Sequence, residues 1–97
     1  MIKFEWDPNK ARTNLRKHHI AFREAATVFR DPLSITFYDP DHSEHEERYI
    51  IVGLSTSGRL LIVSHTDLGD RIRIINAREL TRAEREEYEE EIKRRKF

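Results

Sequence analysis

The spacing of hydrophobic and polar residues changes several times along the chain, and each change marks a predicted element. Residues 2–6 alternate between apolar and charged side chains, which is typical of a short, half-buried strand. Asp7 followed by Pro8 indicates a helix N-cap with proline at the first helical position. We therefore predict a strand and then a basic, largely exposed helix from Pro8 to about His18.

A second helix is predicted from Phe22 onward. Four apolar residues recur there at the spacing i, i+3, i+4 and i+7, which places them on one buried face. Asp31 ends this helix because it precedes Pro32, and the residue before a proline disfavours the helical conformation. Residues 33–38 then alternate between apolar and polar side chains, which predicts a second strand.

Two turns divide the middle of the chain into three further strands. The turn at Ser55–Gly58 separates the apolar runs 48–54 and 59–65, which predicts a hairpin. A turn at Asp67–Asp70 leads into another strand, which begins at Arg71. Consecutive strands joined by short turns run antiparallel. We therefore predict an antiparallel meander.

The last predicted helix begins with a capping box. Thr81 and Glu84 have the spacing at which each side chain binds the backbone N–H of the other residue, and the helix runs to about Arg95. The element order β-α-α-β-β-β-β-α predicts an α+β fold, with helices packed on a small antiparallel sheet. We expect a single domain over residues 1–97, because a chain of 97 residues is near the usual size for one core.

The charge of the chain is balanced in total but unevenly distributed. It has 18 Lys and Arg residues and 18 Asp and Glu residues, so its formal net charge at pH 7 is zero. Residues 1–30 carry seven basic and three acidic groups, residues 31–47 carry six acidic groups and no Lys or Arg, and residues 48–78 carry five Arg and two Asp. This distribution permits a basic surface that binds phosphate. The alternative is an ordinary surface of mixed charge.

Several classes of protein are excluded by features that the sequence lacks. It has no cysteine, and so no disulfide framework and no thiolate zinc site. No apolar run is long enough to span a membrane, and no apolar signal core follows the first residue, so we expect a cytoplasmic protein with no membrane partner. The two histidines of the acidic stretch 39–47 fall far short of a zinc signature, and no nucleotide-binding loop is present. We expect no metal and no cofactor.

The predicted hairpin brings two polar residues together. If Ser55–Gly58 is the turn, Arg48 lies opposite His65 on one face of the sheet. A histidine and an arginine suit RNA cleavage by attack of a 2′-hydroxyl on the adjacent phosphate, which needs a base with a pKa near neutral and a fixed cation. Glu47 could orient Arg48 or act as the base. The alternative is that these strand-end side chains only reach solvent.

The strand that begins at Arg71 carries a row of arginines. Arg71 and Arg73 are two residues apart and point to the same face, and Arg78 follows near the end of the strand. Guanidinium groups bind phosphate through paired hydrogen bonds, so the row predicts an RNA-binding surface. The alternative is a strand whose arginines only expose one face of the sheet to solvent.

The length of the turn at Asp67–Asp70 decides which face His65 occupies. A loop of even length places His65 on the face of Ile72 and Ile74. An odd loop with a glycine bulge places it beside the arginines of the same strand. The sequence leaves both alternatives open.

Short motifs along nearly the whole chain resemble those of one protein family. They are Phe4-Glu5-Trp6-Asp7-Pro8-Asn9-Lys10-Ala11, Asn14, Lys17-His18, Phe29-Arg30-Asp31-Pro32, Glu47-Arg48 before Gly53, and Arg71-Ile72-Arg73-Ile74-Ile75-Asn76-Ala77-Arg78 before Thr81-Arg82-Ala83-Glu84. In this combination the chain resembles the BrnT toxin family. One departure is Asn76, where the family often has serine.

The resemblance implies a fold similar to that of the RelE and ParE toxins. It also implies a ribonuclease toxin of a bacterial type II toxin-antitoxin system that blocks translation. The implied partners are an RNA substrate and a BrnA-like antitoxin, a ribbon-helix-helix protein through which the toxin reaches operator DNA. A dimer of toxin-antitoxin pairs is one assembly consistent with it.

We expect metal-independent cleavage of RNA by 2′-hydroxyl attack. In this hypothesis Arg73 and Arg78 bind phosphate, His65 is the acid or base, and the remaining residues support the site or bind RNA. The predicted catalytic residues are His65, Arg73, Arg78, Arg48 and Glu47, and the predicted RNA-binding residues are Arg71, Lys10 and Arg59. The alternative is a non-catalytic toxin-fold domain that complexes a DNA-binding antitoxin through its first and last helices.

Overall fold

The computed structural model of the chain describes residues 2–95, in which three α-helices accompany one five-stranded sheet. The helices are α1 (Pro8–His18), α2 (Phe22–Thr27) and α3 (Arg82–Arg95), and the strands are β1 (Lys3–Glu5), β2 (Ile35–Tyr38), β3 (Tyr49–Leu54), β4 (Leu60–Asp67) and β5 (Arg71–Glu79). Two 3₁₀ turns, Val28–Arg30 and Pro40–His42, complete the elements. The predicted α+β class is confirmed. None of the helices in residues 2–95 has the length and apolar character needed to cross a membrane.

The sheet is mixed, with strand order β1-β5-β4-β3-β2. Strands β2 to β5 form the predicted antiparallel meander. β1 instead pairs in parallel with β5, and Phe4 lies opposite Ile72. The prediction of a wholly antiparallel sheet is therefore wrong. Because β1 leads directly into α1, and α1 packs against β5, the first strand is placed beside the last one.

The helices α1 and α2 cover one face of the sheet and form the main core with it. The apolar face predicted for α2 buries Phe22 and Ala25. Full burial of each of the larger apolar side chains stabilises the fold by about 1.5–3 kcal/mol. The buried members of this core are Ile20, Phe22, Ala25, Val28, Ile51, Leu61, Val63, Ile74 and Ala77.

The opposite face of the sheet, which we call the open face, is only partly covered. A small cluster of Val52, Leu60 and Leu80 is buried there, and Tyr88 of α3 packs against it. The rest of α3 is too polar to bury any residue. The part of the open face that belongs to β4 and β5 therefore stays accessible.

Both predicted helix caps are confirmed. Asp7 Oδ1 accepts a hydrogen bond from the backbone N–H of Asn9 (2.8 Å). At the start of α3, Thr81 N–H donates to Glu84 (2.9 Å) and Glu84 N–H donates to the Thr81 hydroxyl (3.2 Å). These reciprocal bonds satisfy backbone donors that the helix leaves unpaired.

The turn between β3 and β4 corrects the predicted register. Gly58 adopts a left-handed conformation (φ 85°), and its N–H donates to the carbonyl of Ser55 (2.9 Å), while Ser55 N–H donates to the carbonyl of Arg59 (2.8 Å). These bonds define a three-residue loop, whereas the predicted pairing requires two or four residues. Tyr49 is therefore the residue opposite His65, and the prediction that Arg48 and His65 share a face is wrong.

The turn between β4 and β5 decides between the two alternatives for His65. The N–H of Leu68 donates to the carbonyl of Arg71 (2.9 Å), and the two intervening residues include Gly69 at φ 91°. This even loop has glycine first, as in a type II′ turn. His65 consequently lies opposite Ile74, on the face covered by α1 and α2.

A bulge in β5 reverses the alternation of faces along that strand. Ser64 lies opposite Asn76, but His65 lies opposite Ile74, so Ile75 is an extra residue without a partner. Arg73 lies opposite Thr66 and Arg78 lies opposite Ile62, which places both arginines on the open face. Without the bulge, their odd spacing would put them on opposite faces.

Candidate functional site

A cavity of about 320 Å³ on the open face contains two of the predicted arginines. We call it the arginine cavity. Its polar lining consists of Asp39, His42, Arg48, Ser64, Asn76 and Arg78. The residues come from β3, β4, β5 and the loop before β3, which are distant in sequence. The fold thus gathers basic groups in one place, as the charge distribution permits.

The loop 39–48 is held closed by one serine. Its ends are joined by a hydrogen bond from Asp39 N–H to the carbonyl of Arg48 (2.9 Å). The Ser43 hydroxyl donates to the carbonyl of Asp39 (2.5 Å) and accepts from Arg48 N–H (2.9 Å). This arrangement brings the 3₁₀ turn that carries His42 next to the start of β3, where Arg48 lies.

His42 forms a pair with Asp39 at the rim of the arginine cavity. His42 Nδ1 donates to Asp39 Oδ2 (2.9 Å), and the histidine side chain is 68% exposed whereas that of the aspartate is 13% exposed. A carboxylate that binds one ring nitrogen fixes the orientation of the imidazole and leaves the other nitrogen for a substrate. The pair therefore has the arrangement of a general acid or base with its orienting carboxylate.

Arg48 supplies a cation with unused hydrogen-bonding capacity. Its Nε is buried and finds no hydrogen-bond partner within residues 2–95, since the nearest carboxylate, Glu46 Oε1, is 3.5 Å away and poorly placed. A buried donor without a partner is uncommon in folded proteins. Nε itself is shielded from the cavity, but the Arg48 side chain is 30% exposed and lines the cavity, so its guanidinium group can bind an anion there.

Arg78 is held rigidly by Glu84 of α3. Its two terminal nitrogens donate to the two carboxylate oxygens (2.8 and 3.0 Å), and one of them also donates to the carbonyl of Glu79 (3.1 Å). The carboxylate raises the pKa of Arg78. The arginine thus stays charged and fixed in position beside the cavity, which suits the binding of an anion.

The Arg78–Glu84 pair predicts how the free energy of unfolding depends on pH. Arg78, followed by the N–H of Thr81, lowers the pKa of Glu84 from 4.5 to about 2. Because this pKa is lower in the folded chain, the stabilisation is complete above about pH 4.5 and is lost as the pH falls toward 2. Both side chains are about one-third exposed, so we expect Glu84→Gln to lower the free energy of unfolding by only about 1 kcal/mol at pH 7.

Urea unfolding at pH 7 and near pH 2 measures this effect. The difference between wild type and Glu84→Gln should shrink at the lower pH, because the wild-type carboxylate becomes protonated there. Glu86→Gln is the control, since that side chain is 68% exposed and only reaches Arg82. An equal loss for Glu84→Gln at both pH values would contradict the prediction.

His65 does not join the arginine cavity. It is only 4% exposed, and its ring packs edge-on against Phe29 (4.8 Å between centroids) and stacks on Tyr49 (6.2 Å). Burial lowers the pKa of His65. The sheet separates it from the arginines of the open face, so the structure favours a role in the core.

Arg71 and Arg73 are both engaged by one carboxylate of β1. Their Nε atoms donate to the two oxygens of Glu5, at 2.7 Å for Arg73, and these arginines lower the pKa of Glu5. Arg73 also approaches Glu46 (3.7 Å). Both lie on the open face, but neither lines the arginine cavity. Lys10 lines a neighbouring cavity with Arg73.

Glu47 and Arg59 lie outside the arginine cavity. The side chain of Glu47 is exposed, and its backbone carbonyl accepts from the Thr66 hydroxyl (2.6 Å). Arg59 donates twice to Glu24 of α2, with one bond of 3.0 Å, and once to the carbonyl of His19 (3.1 Å). These contacts place Arg59 on the helix side of the sheet, away from the open face.

Sequence reasoning missed His42 and Asp39 as functional residues. From the sequence, the two histidines of the acidic stretch were considered only as metal ligands, and the one candidate base there was Glu47. Within residues 2–95 no group of three or more histidine, aspartate or glutamate side chains is arranged to hold a metal ion. One signal for the pair was present in the sequence. His42 follows Asp39 by three residues and Pro40 lies between them, a spacing that suits one turn of 3₁₀ helix. The hydrogen bonds of Ser43 that bring this turn to Arg48 had no sequence signal.

A larger cavity lies elsewhere. It occupies about 800 Å³ between α3 and the apolar part of the open face, and it includes none of the predicted site residues. Its floor is formed by side chains such as Ile50 and Val52, and its wall by acidic residues of α3. Because it lacks a cation cluster or a histidine, it is less suited to phosphate chemistry than the arginine cavity.

Comparison with known proteins finds one matching family model and a similar solved structure. A family model described as "Ribonuclease toxin, BrnT, of type II toxin-antitoxin system" matches residues 6–84. The chain is also similar to the crystal structure of the Brucella abortus ribonuclease toxin BrnT, with a TM-score of 0.62 and 19% sequence identity over 84% of this chain and 100% of that chain. At this identity the likeness shows the fold. No curated protein has a significant match to the chain.

Proposed function

The chain belongs to the BrnT family of ribonuclease toxins of type II toxin-antitoxin systems, and from this premise we propose that it cleaves RNA at the arginine cavity without a metal ion and thereby blocks translation. Membership of such a system implies an antitoxin partner. One observation carries the proposal of the site. Arg48, with its unsatisfied Nε, lines the same cavity as Arg78 and the Asp39–His42 pair.

The two arginines would bind the scissile phosphate. Arg78 is preorganised by Glu84, and Arg48 lines the cavity with a side chain that is 30% exposed. In the transition state of 2′-hydroxyl attack, negative charge develops on the non-bridging phosphate oxygens. Fixed cations in a partly dehydrated cavity stabilise that charge more than they stabilise the ground state.

His42 would act as the general base. Its second ring nitrogen takes the proton from the 2′-hydroxyl, whose oxygen forms a bond to phosphorus while the bond to the 5′ oxygen breaks. The departing oxygen receives a proton from water at this open rim. The products are a 2′,3′-cyclic phosphate and a 5′-hydroxyl end, and the charge and atoms balance without a cofactor.

His42 replaces His65 in the proposed mechanism. His65 is packed in the core, whereas His42 is accessible and oriented by Asp39. Arg73, Arg71 and Lys10 are proposed to bind RNA beyond the scissile phosphate, since they lie on or beside the open face. We assign Glu47 and Arg59 no direct contact with RNA, because neither lines the cavity.

The finer parts of the family assignment are supported by sequence resemblance. We propose that the fold is related to those of the RelE and ParE toxins. The antitoxin would be a BrnA-like ribbon-helix-helix protein that neutralises the toxin and carries it to operator DNA. A gene for such a small protein beside this one would support the proposal, and co-purification of the two proteins would identify the complex.

Purified protein is expected to cleave RNA in the presence of EDTA, and Arg48→Gln is expected to slow cleavage by about 10²- to 10³-fold, because the variant lacks a donor to the charged phosphate. The measurement is the initial rate on a labelled RNA, with the products analysed for cyclic phosphate ends. Arg82→Gln is the control for charge, since Arg82 is 94% exposed and lies outside the cavity.

Each outcome of this experiment has a distinct meaning. Loss of cleavage in EDTA, with recovery on adding a divalent cation, would overturn the metal-independent mechanism. An Arg48→Gln variant as active as wild type would overturn the site. Absence of cleavage of any RNA by folded protein that still binds its antitoxin would favour the non-catalytic alternative.

A further inference from the structure

A second cavity lies beside the arginine cavity, at the edge where the open face meets α1. It has a volume of about 430 Å³ and forms where β1 ends, and we call it the Trp6 cavity. The residues that matter for its chemistry are Trp6, Asp7, Lys10, Glu46, Arg73 and Ile75. The bulged Ile75 lines both cavities. A nucleotide whose phosphate lies at Arg48 can therefore extend directly into the Trp6 cavity.

Trp6 provides a fixed aromatic wall. Its ring meets Phe22 of the core edge-on, with 6.0 Å between centroids, and the residue is half-buried. Aromatic side chains held in place beside a phosphate-binding groove are typical of sites where nucleobases stack. The apolar wall thus fits a planar heterocycle better than a sugar or a phosphate.

The carboxylates of the cavity differ in what they can still bind. Glu5 is occupied by the two arginines of β5, and Asp7 Oδ1 caps α1. Glu46 makes only long contacts, 3.5 Å to Arg48 and 3.7 Å to Arg73. Its oxygens are therefore available as acceptors for donor groups of a ligand.

The cations of the cavity can donate hydrogen bonds to the acceptors of the same ligand. Lys10 is exposed at the start of α1, and Arg73 is oriented by Glu5. Lysine and arginine are the usual partners of the O6 and N7 acceptors of guanine, and a carboxylate suits an amino or imino donor such as guanine N1–H and N2–H. Guanine carries this pair of acceptors and this pair of donors on neighbouring edges.

We propose that the Trp6 cavity is a nucleobase subsite that binds guanine next to the scissile phosphate. The ring stacks on Trp6, the acceptor edge meets Lys10 and Arg73, and the donor edge meets Glu46. The effect on cleavage rests on the proposed function, whereas the binding of the base does not. The chain would thus recognise one base by contacts separate from the groups that act on the phosphate.

The binding of the base can be measured directly, because Trp6 is the only tryptophan in the chain. Titration with guanosine monophosphate should change the tryptophan emission in a saturable manner, at a concentration about tenfold lower than for the adenosine, cytidine and uridine monophosphates. Glu46→Gln should weaken this preference by a similar factor. Glu44→Gln is the matched control, since Glu44 is exposed in the same loop and does not line the cavity.

Cleavage provides the second readout. RNA with a single guanosine should be cut next to that base, and replacement by inosine, which lacks the N2 amino group, should slow the cut about tenfold. Glu46→Gln should reduce the difference between guanosine and inosine. Cleavage that ignores the base, with equal emission changes for all four nucleotides, would overturn the guanine subsite and leave the proposed function standing. Failure to cleave any RNA, with guanosine-selective emission intact, would overturn the proposed function alone.

Discussion

Replacing His42 with alanine is expected to slow RNA cleavage by about 10²- to 10⁴-fold, the usual contribution of a general base. The imidazole is 68% exposed and its hydrogen bond is to Asp39, so its removal should leave the fold and the RNA affinity largely unchanged. The loss should therefore appear in kcat, and KM should change little. Single-turnover cleavage of a labelled RNA measures the rate of the chemical step.

Two histidine variants serve as controls for this result. His45→Ala changes an exposed residue of the same loop that does not line the arginine cavity, and its rate should match wild type. His65→Ala removes a buried ring, so it should lower the melting temperature, yet the folded fraction should still cleave RNA. Full activity of His42→Ala together with an inactive, folded His65 variant would contradict the assignment.

Local patterns in the sequence were enough to predict most elements. Asp7-Pro8 correctly marked the start of α1, and Thr81 with Glu84 marked α3, because a cap is formed within one turn of the helix. The alternation of apolar and polar residues likewise found the strands. Each of these signals depends on neighbours in sequence, so no knowledge of the tertiary structure was needed.

The sequence could not predict which face of the sheet each side chain occupies, because this depends on single residues in turns and bulges. Placing Gly58 in the left-handed region lengthens the β3–β4 loop to three residues and shifts the pairing by one. A shift of one residue moves a side chain to the other face of a sheet. The extra residue Ile75 also shifts the pairing by one, and this shift places Arg78 on the same face as Arg73. Neither effect changes the hydrophobic pattern.

Two residues of the candidate site were named from the sequence. Arg48 was named through a pairing with His65 that the structure contradicts, and Arg78 was named because arginine is suited to binding phosphate. Both line the arginine cavity. The role of His42 was missed because it depends on the contacts of Ser43 with both ends of its loop. Hydrogen bonds of this kind leave no periodic signal.

The acidic stretch of the chain has a structural use that the net charge concealed. Asp39 orients His42, and Glu46 lies between Arg48 and Arg73. Asp39 thus holds His42 in position, and both carboxylates reduce the positive potential of the open face. Binding of RNA should therefore rest on a few well-placed contacts, although each phosphate contact still makes the affinity depend on salt.

Replacing Asn14 with alanine is expected to lower the free energy of unfolding by about 2–5 kcal/mol, a large part of the stability of a small domain. Asn14 is 5% exposed. Its amide donates to the carbonyls of Ile20 and Ala77 (both 2.9 Å), and its oxygen accepts from Ala77 N–H (3.0 Å). Alanine leaves these three buried groups without a partner. Urea unfolding monitored by circular dichroism measures the loss, and Asn9→Ala on the exposed side of α1 is the control.

The variant Asn14→Asp separates the hydrogen bonds from the packing, because its side chain has nearly the same shape. An ionised carboxylate still accepts from Ala77 N–H but faces two carbonyl oxygens, so its pKa should be raised in the folded chain. A raised pKa means that the folded state gains stability as the pH falls through that value. Asn14→Asp should therefore be destabilised at pH 7 and partly restored near pH 4, where the protonated group donates again. Equal destabilisation at both pH values would show that packing, and not the amide bonds to β5, holds the strand beyond its bulge.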